Sequence, residues 1–272
     1  MFRAAQQPGF RISRAREETM DARSQFVALR LFGLSRFALL ALACVTGGAL
    51  AQTVPGTSNP YLAGMPNGST CCSGDSAPAQ SPVQVGSITV TPGATVTFTA
   101  TGGVDFAGGA PSSGPDGGFV FTTASSDGIS GATWPVNALV GVFLDDSLPT
   151  STAAPADLDF GPTGIGTSFT TLSPALKQAF FIGDGLTGTG TGTTQTFVVP
   201  AGATRLFLGV SDGVGWFNNS GAFNATVTIS AAPPPPPPAV AAIPVPTLSE
   251  TMLALLTMML ALVLAARMRN RR

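Results

Sequence analysis

The sequence predicts an all-β fold, an antiparallel β-sandwich, from three observations. Between Gln52 and Ala242 there is no Glu, and Gly, Ser, Thr, Ala and Val dominate, a composition that disfavours helices and suits short strands with tight turns. Period-two alternation of apolar and polar residues recurs from Val83 to Ile229. Gly- and Pro-rich stretches separate these runs, as loops do. The ends of the chain differ so much from the middle that only the middle can build an ordinary core.

Residues 1–51 carry an N-terminal targeting pattern. Met1–Thr19 lacks apolar periodicity, and Met20 is a candidate true start. From there Arg23, Arg30 and Arg36 precede the apolar run Phe37–Val45, an n-region followed by an h-region. Ala49 and Ala51 are the small residues a signal peptidase accommodates, which places cleavage between Ala51 and Gln52. The other reading is a retained anchor, although the run falls short of the ~20 residues of a spanning helix. Cys44 is h-region filler, since Ala41 and Leu42 fit a lipobox poorly.

Residues 52–82 read as an extended lead. They contain Cys71-Cys72, the two cysteines left after cleavage. An adjacent pair cannot take relaxed disulfide geometry, so a vicinal ring, intermolecular pairing or two thiols remain open.

Residues 83–230 form the predicted sandwich. Ser87–Thr91 and Ala94–Ala100 read as a hairpin about Pro92-Gly93, followed by strands at Ala138–Leu144, Gln195–Val199, Thr204–Val210 and Ala222–Ile229. In the last, Phe223, Ala225, Val227 and Ile229 share one face, and Asn224, Thr226 and Thr228 the other.

Residues 231–242 are a spacer whose six prolines, Pro233–Pro238, favour a polyproline II rod. Residues 243–272 form the C-terminal tail, in which a membrane helix is expected over 252–266, followed by Arg267, Arg269, Arg271 and Arg272 on the cytoplasmic side.

Charge and composition exclude several functions. Lys177 and Arg205 are the two basic residues between Gln52 and Ala242, against ten Asp, a net charge of −8, which makes nucleic acid an unfavourable partner. The chain has no His, so the commonest general base and zinc ligand are both missing. Asp145-Asp146 and Asp157/Asp159 are paired carboxylates, but they sit in loops without a Glu or His partner, so no enzyme is expected.

The segment Leu208–Phe223 carries the chemistry. Asp212, Asn218 and Asn219 with three nearby glycines offer hard oxygen donors on a turn, which suits calcium; the same residues also build ordinary Asx turns.

Two resemblances follow from these residues. Val245-Pro246-Thr247-Leu248-Ser249-Glu250, then an apolar run and an arginine cluster, resembles the IPTL-CTERM sorting signal of Gram-negative bacteria. Val245 stands in place of isoleucine, and Thr251 in place of the tryptophan usual after the Glu. This resemblance implies export, transient membrane anchoring, an exosortase-like partner and display at the cell envelope or extracellular matrix.

The order strand, Asp212, short loop, Asn218-Asn219-Ser220-Gly221, Phe223 and strand is similar to the calcium-dependent galactose-binding lectins of the PA-IL type. Val96–Phe106 and Ala138–Gly141 resemble two further strands of that family. The resemblance implies a calcium ion held by side chains of Asp212, Asn218 and Asn219 and by backbone carbonyls of Phe106 and Gly215, with carbohydrate bound through the ion. The loop between Asp and Asn is one residue shorter than in the lectins, and their histidine-containing sugar loop has no counterpart. Trp216 or Trp134 is the candidate replacement, stacking on a sugar face, although a tryptophan in a sandwich more often fills the core. The rival expectation is an adhesive or structural surface protein that binds no sugar.

Processing between Ala51 and Gln52 makes Gln52 the first residue of the exported protein. N-terminal sequencing of exported chain checks this, and a chain retaining Ala49–Ala51 contradicts it.

Overall fold

The computed structural model describes residues 48–86, 91–232 and 249–271. These all belong to one compact unit, Val45–Arg272. The n- and h-regions with Cys44, Ser87–Val90 of the expected hairpin, the prolines 233–238 and Val245–Leu248 of the tail lie outside the described residues.

The protein is mostly β-sheet with one C-terminal helix. The strands are β1 Ala49–Pro55, β2 Thr70–Cys71, β3 Asp75–Ser76, β4 Val83–Gln84, β5 Thr95–Asp105, β6 Val120–Thr123, β7 Ala132–Pro135 and β8 Leu139–Leu144. They continue with β9 Leu158–Asp159, β10 Thr171–Leu172, β11 Ala179–Phe181, β12 Leu186–Gly188, β13 Thr191–Thr194, β14 Thr196–Val198, β15 Arg205–Val210 and β16 Ser220–Ser230; the helix α1 is Glu250–Arg269. Two larger sheets, ordered β1-β16-β5-β14-β10 and β11-β8-β15-β4, share one hydrophobic core.

Four of the expected strands are present within a residue or two of the bounds read from the sequence, because alternation or a continuous apolar run marks each. In β16, Phe223, Ala225 and Val227 are buried while Asn224 is exposed. β8 has no exposed position: it lies between β11 and β15, which explains its unbroken apolar run. Its Gly141 faces the Phe180 ring so closely that a Cβ would come within 2.5 Å of it. An aromatic chain ties the sheets together: Phe98 meets Phe197 at 5.2 Å, Phe197 meets Phe180 at 5.3 Å, and Phe180 stacks on Phe143 at 5.2 Å.

Three expectations need correcting. Ala94–Ala100 extends to Asp105 as β5, and its partners among the described residues are β16 and β14, pairings that local spacing cannot reveal. The strands are not all antiparallel: β10 pairs with β14, and β7 with β9, in parallel. Residues 52–82, expected as an extended lead, contribute Val54, Tyr61 and Leu62 to the core, and β1 runs antiparallel to β16.

Ala49, Ala51 and Gln52 of the expected cleavage site lie within β1. A chain starting at Gln52 keeps the pairs from Gln52↔Ala225 to Pro55↔Ala222, including the buried Val54. Helix α1 is longer than the expected 252–266. Its 20 residues reach about 30 Å, the thickness of a bilayer core, and Ser249 caps its N-terminus by accepting the Met252 N–H.

Phe197→Ala should cost about 3–5 kcal/mol, because it empties the junction of the aromatic chain, while Thr226→Ala on the outer face should stay within about 0.5 kcal/mol. Urea unfolding of both variants checks this, and similar losses would refute the assignment of faces.

Candidate functional site

The loop between β15 and β16 is built from both of its flanks. β15 ends at Val210, and Ser211 turns inward, its Oγ donating to the Pro135 carbonyl at 2.5 Å and accepting the Ala138 N–H at 2.7 Å. Gly215 takes a left-handed conformation, φ 80°, and starts a single 3-10 turn over Trp216–Asn218. Its carbonyl accepts the Asn218 N–H at 3.2 Å, so this expected calcium ligand is already engaged within the turn.

The expected ligands differ in exposure. Asp212 and Asn219 are buried, 4% and 8% exposed. Asn218 is exposed, and Phe106, one residue beyond β5, is partly exposed. Asp212 Oδ1 accepts the Gly213 N–H at 2.6 Å, whereas Asp212 Oδ2 is buried without a hydrogen-bond partner. The Asn219 amide stands beside this carboxylate. Its Nδ2 donates to the Gly56 carbonyl at 3.1 Å, and its Oδ1 is also buried without a partner. Gly56 is obligatory there, since a Cβ would come 2.5 Å from the Ser220 carbonyl oxygen.

Trp216 and Trp134 are fully buried, so neither can offer a face to an outside ligand. The Trp216 indole donates to the Val210 carbonyl at 2.7 Å and packs edge-on against Tyr61 at 5.8 Å. That places it in the core beneath the loop, where a large amphipathic ring satisfies its one donor.

Sequence reasoning missed Asp75. It is fully buried, and its Oδ1 accepts the Phe217 N–H at 2.8 Å while Oδ2 accepts the Trp216 N–H and the Asn59 amide, each at 3.1 Å. Asp75 opens β3, directly after the Cys71–Cys72 disulfide and Gly74. Cys72 also accepts the Gly215 N–H, at 3.2 Å. The available signal was the pattern Cys-Cys-Ser-Gly-Asp, which marks a tight turn ending in a carboxylate, yet nothing local relates it to a loop 141 residues away.

Burial raises the Asp75 pKa, against the lowering effect of hydrogen bonds from Phe217, Trp216 and Asn59. Burial also raises that of Asp212; Gly213 and Asn219 oppose it, and the negative charge of Asp75 adds to it. Among the described residues, no three His, Cys, Asp or Glu side chains gather to hold a metal. A cation here would therefore rely on one carboxylate and on amide and carbonyl oxygens, a set that fits calcium better than zinc.

The paired carboxylates elsewhere serve structure. Asp145 binds the N–H and hydroxyl of Ser147, which lowers its pKa, and Asp146 accepts the Thr204 hydroxyl at 2.7 Å. Asp159 accepts the Gly161 N–H at 2.7 Å.

At the other end of the chain, α1 is apolar on every side, with mean hydropathy 2.0 and no buried residue, and Arg267 and Arg269 occupy its last turn. A helix of this length followed by arginines is of the membrane-anchor type. Residues 243–272 match the IPTL-CTERM motif, and the chain is thus an exported, cell-surface-sorted protein. The match covers the tail and leaves the β-sheet region unassigned. No curated protein matches the chain.

A group whose pKa is raised by folding stabilises the fold below its ordinary value, and that stability is lost as pH rises through the raised value. The calcium-free protein should therefore melt at lower temperature as pH rises from mild acid through the raised pKa of Asp75 and Asp212. Asp212→Asn should flatten this fall, whereas Asp75→Asn should lower stability at every pH by about 1–3 kcal/mol, because buried N–H groups lose their acceptor. Thermal melts across pH check both, and a flat wild-type profile contradicts the assignment.

Proposed function

We propose that the protein is a calcium-dependent carbohydrate-binding protein displayed at the cell surface or in the extracellular matrix, with no catalytic activity. Its β-sheet region is then an antiparallel β-sandwich with short parallel additions, and the ion sits in the loop after Val210. One observation carries the reading: Asp212 Oδ2 and Asn219 Oδ1 are both buried without close hydrogen-bond partners, on two side chains that lie next to one another. Unpaired buried oxygens cost free energy, and a hard cation offsets that cost by coordinating them. Asp212 and Asn219 would supply those two oxygens directly. Asn218 and the carbonyl of Phe106 remain candidates at the rim, and calcium would leave positions for sugar hydroxyls.

Position supports the same reading. β16 begins at Ser220 beside the loop and ends at Ser230, where the chain leaves toward the proline spacer. Ten residue steps of strand put the loop about 33 Å from that exit. The loop therefore opens at the end of the strand opposite the tether, where an anchored protein meets outside ligands. The tail is recognised by an exosortase-like enzyme at Val245–Glu250.

A second reading has its own support. Asp75 already fixes the loop through two hydrogen bonds, from the Trp216 and Phe217 N–H groups, so the loop needs no ion to keep its shape. In that case the protein is structural or adhesive and binds no sugar.

Calcium should raise the melting temperature of the detergent-solubilised full chain, equivalent to about 2.7 kcal/mol when free ion stands at ~100 times its dissociation constant. Asp212→Asn should erase most of the rise, while Asp145→Asn should leave it intact. If calcium leaves the wild type unchanged, or stabilises Asp212→Asn equally, the cation site is wrong. Calcium binding without any glycan on an array favours the structural reading.

A further inference from the structure

The open side of the Asp212 loop is bordered by aromatic rings. Phe119 is 63% exposed and Phe106 39% exposed, with ring centroids 6.1 Å apart, and Phe121 continues the row 6.3 Å beyond Phe119. Phe121 lies next to the loop, and the turn that follows Phe106 approaches it from the other side. A Cβ on Gly213, next to Asp212, would lie 3.6 Å from the Phe121 ring, and one on Gly108, two residues past Phe106, would lie 2.8 Å from the Asn218 carbonyl oxygen. Phe143, Phe180 and Phe197 are buried in the core, so these exposed rings stand apart from it.

We infer that Phe119, met edge-on by Phe106 at 85° and tilted at 59° to Phe121, forms a stacking shelf for one neutral pyranose ring, whose hydroxyl edge faces the cation at Asp212 and Asn219. The inference rests on the calcium reading above. Three arguments select this occupant. The part-exposed rings offer at most ~300 Å², far below the ~800 Å² per partner of a stable protein interface. A ligand spanning the shelf and the ion must show C–H groups on one side and hydroxyl oxygens on the other, as a pyranose does; the negative face of each ring attracts polarised C–H.

The third argument is charge. The charges on this side are acidic: Asp212 itself, Asp75 close enough to act on it, and Asp105 next to Phe106 in the chain. The two cations between Gln52 and Ala242 are committed elsewhere: Lys177 to Thr152 and Ala153, Arg205 to Asp145 and Ser147. A carboxylated sugar therefore meets carboxylates beside the ion, while both basic side chains are held elsewhere. The shelf also replaces the role expected of Trp216, which is buried.

The test is titration calorimetry on the detergent-solubilised full chain with calcium, then with the methyl glycosides of glucose, galactose and mannose and their uronic acids. At least one neutral glycoside should bind in the presence of calcium and not with chelator, and its uronic acid should bind more weakly. Phe119→Ala should weaken the neutral glycoside about five- to tenfold while calcium affinity stays within about twofold; Phe119→Tyr should retain binding. Calcium failing to bind the wild type overturns the ion and the shelf together. Calcium binding with no glycoside bound, or glycoside binding equally to Phe119→Ala, overturns the shelf and leaves the ion standing. Tighter binding of the uronic acid also overturns the shelf as drawn.

Discussion

Asp75 accepts the backbone N–H groups of Trp216 and Phe217 and the amide of Asn59, all within a buried site. These bonds hold the β2–β3 turn against the loop after β15, and that loop sets the direction in which Asp212 and Asn219 point. A buried carboxylate is stable only when its oxygens are satisfied, so the partners of Asp75 are constrained as tightly as Asp75 itself. Asn59 shows the reach of the constraint. Its Oδ1 caps the turn at Tyr61, 2.9 Å from the Tyr61 N–H, while its Nδ2 serves Asp75. Tyr61 in turn packs against Trp216 and donates to Thr123 at 2.7 Å.

The contrast between Asp75 and Asp212 gives the loop its chemical character. Both carboxylates are buried, and both are pushed toward the neutral form by burial. Asp75 is compensated by close donors on both oxygens, whereas Asp212 has a close donor on Oδ1 and only the nearby Asn219 amide and Val214 N–H besides. A fully satisfied group serves structure, and a partly satisfied one is a candidate for a ligand. Asp75 holds the loop without taking part in the proposed binding, whereas Asn219 does both, its Nδ2 tied to the Gly56 carbonyl and its Oδ1 left over.

Anchoring and binding are separated along the chain in the same way. The tail needs only an apolar helix of bilayer length and a cluster of arginines, and α1 provides them without packing against anything described. The outer face of β5 and β16 is rich in threonine, with Thr99 opposite Thr226 and Thr97 opposite Thr228. β16 carries the spacer at one end and the loop at the other.

Local patterns along the chain determine much of this protein by themselves. The strands β8, β14, β15 and β16 are legible because burial on one face imposes alternation and burial on both imposes an apolar run. The tail is legible because bilayer thickness fixes helix length and the arginines follow directly in sequence. Asp212 and Asn219 are legible as polar residues on a glycine-rich turn. Tertiary structure alone decides the rest. It joins Asp75 to Phe217 across 142 residues, pairs β1 with β16, sends Trp216 inward and leaves Phe119 outside. Each depends on which distant segment arrives at a surface, and hydrophobicity or hydrogen-bonding capacity read along the chain cannot say which segment that is: an aromatic residue carries the same apolar area whether it fills the core or borders a site.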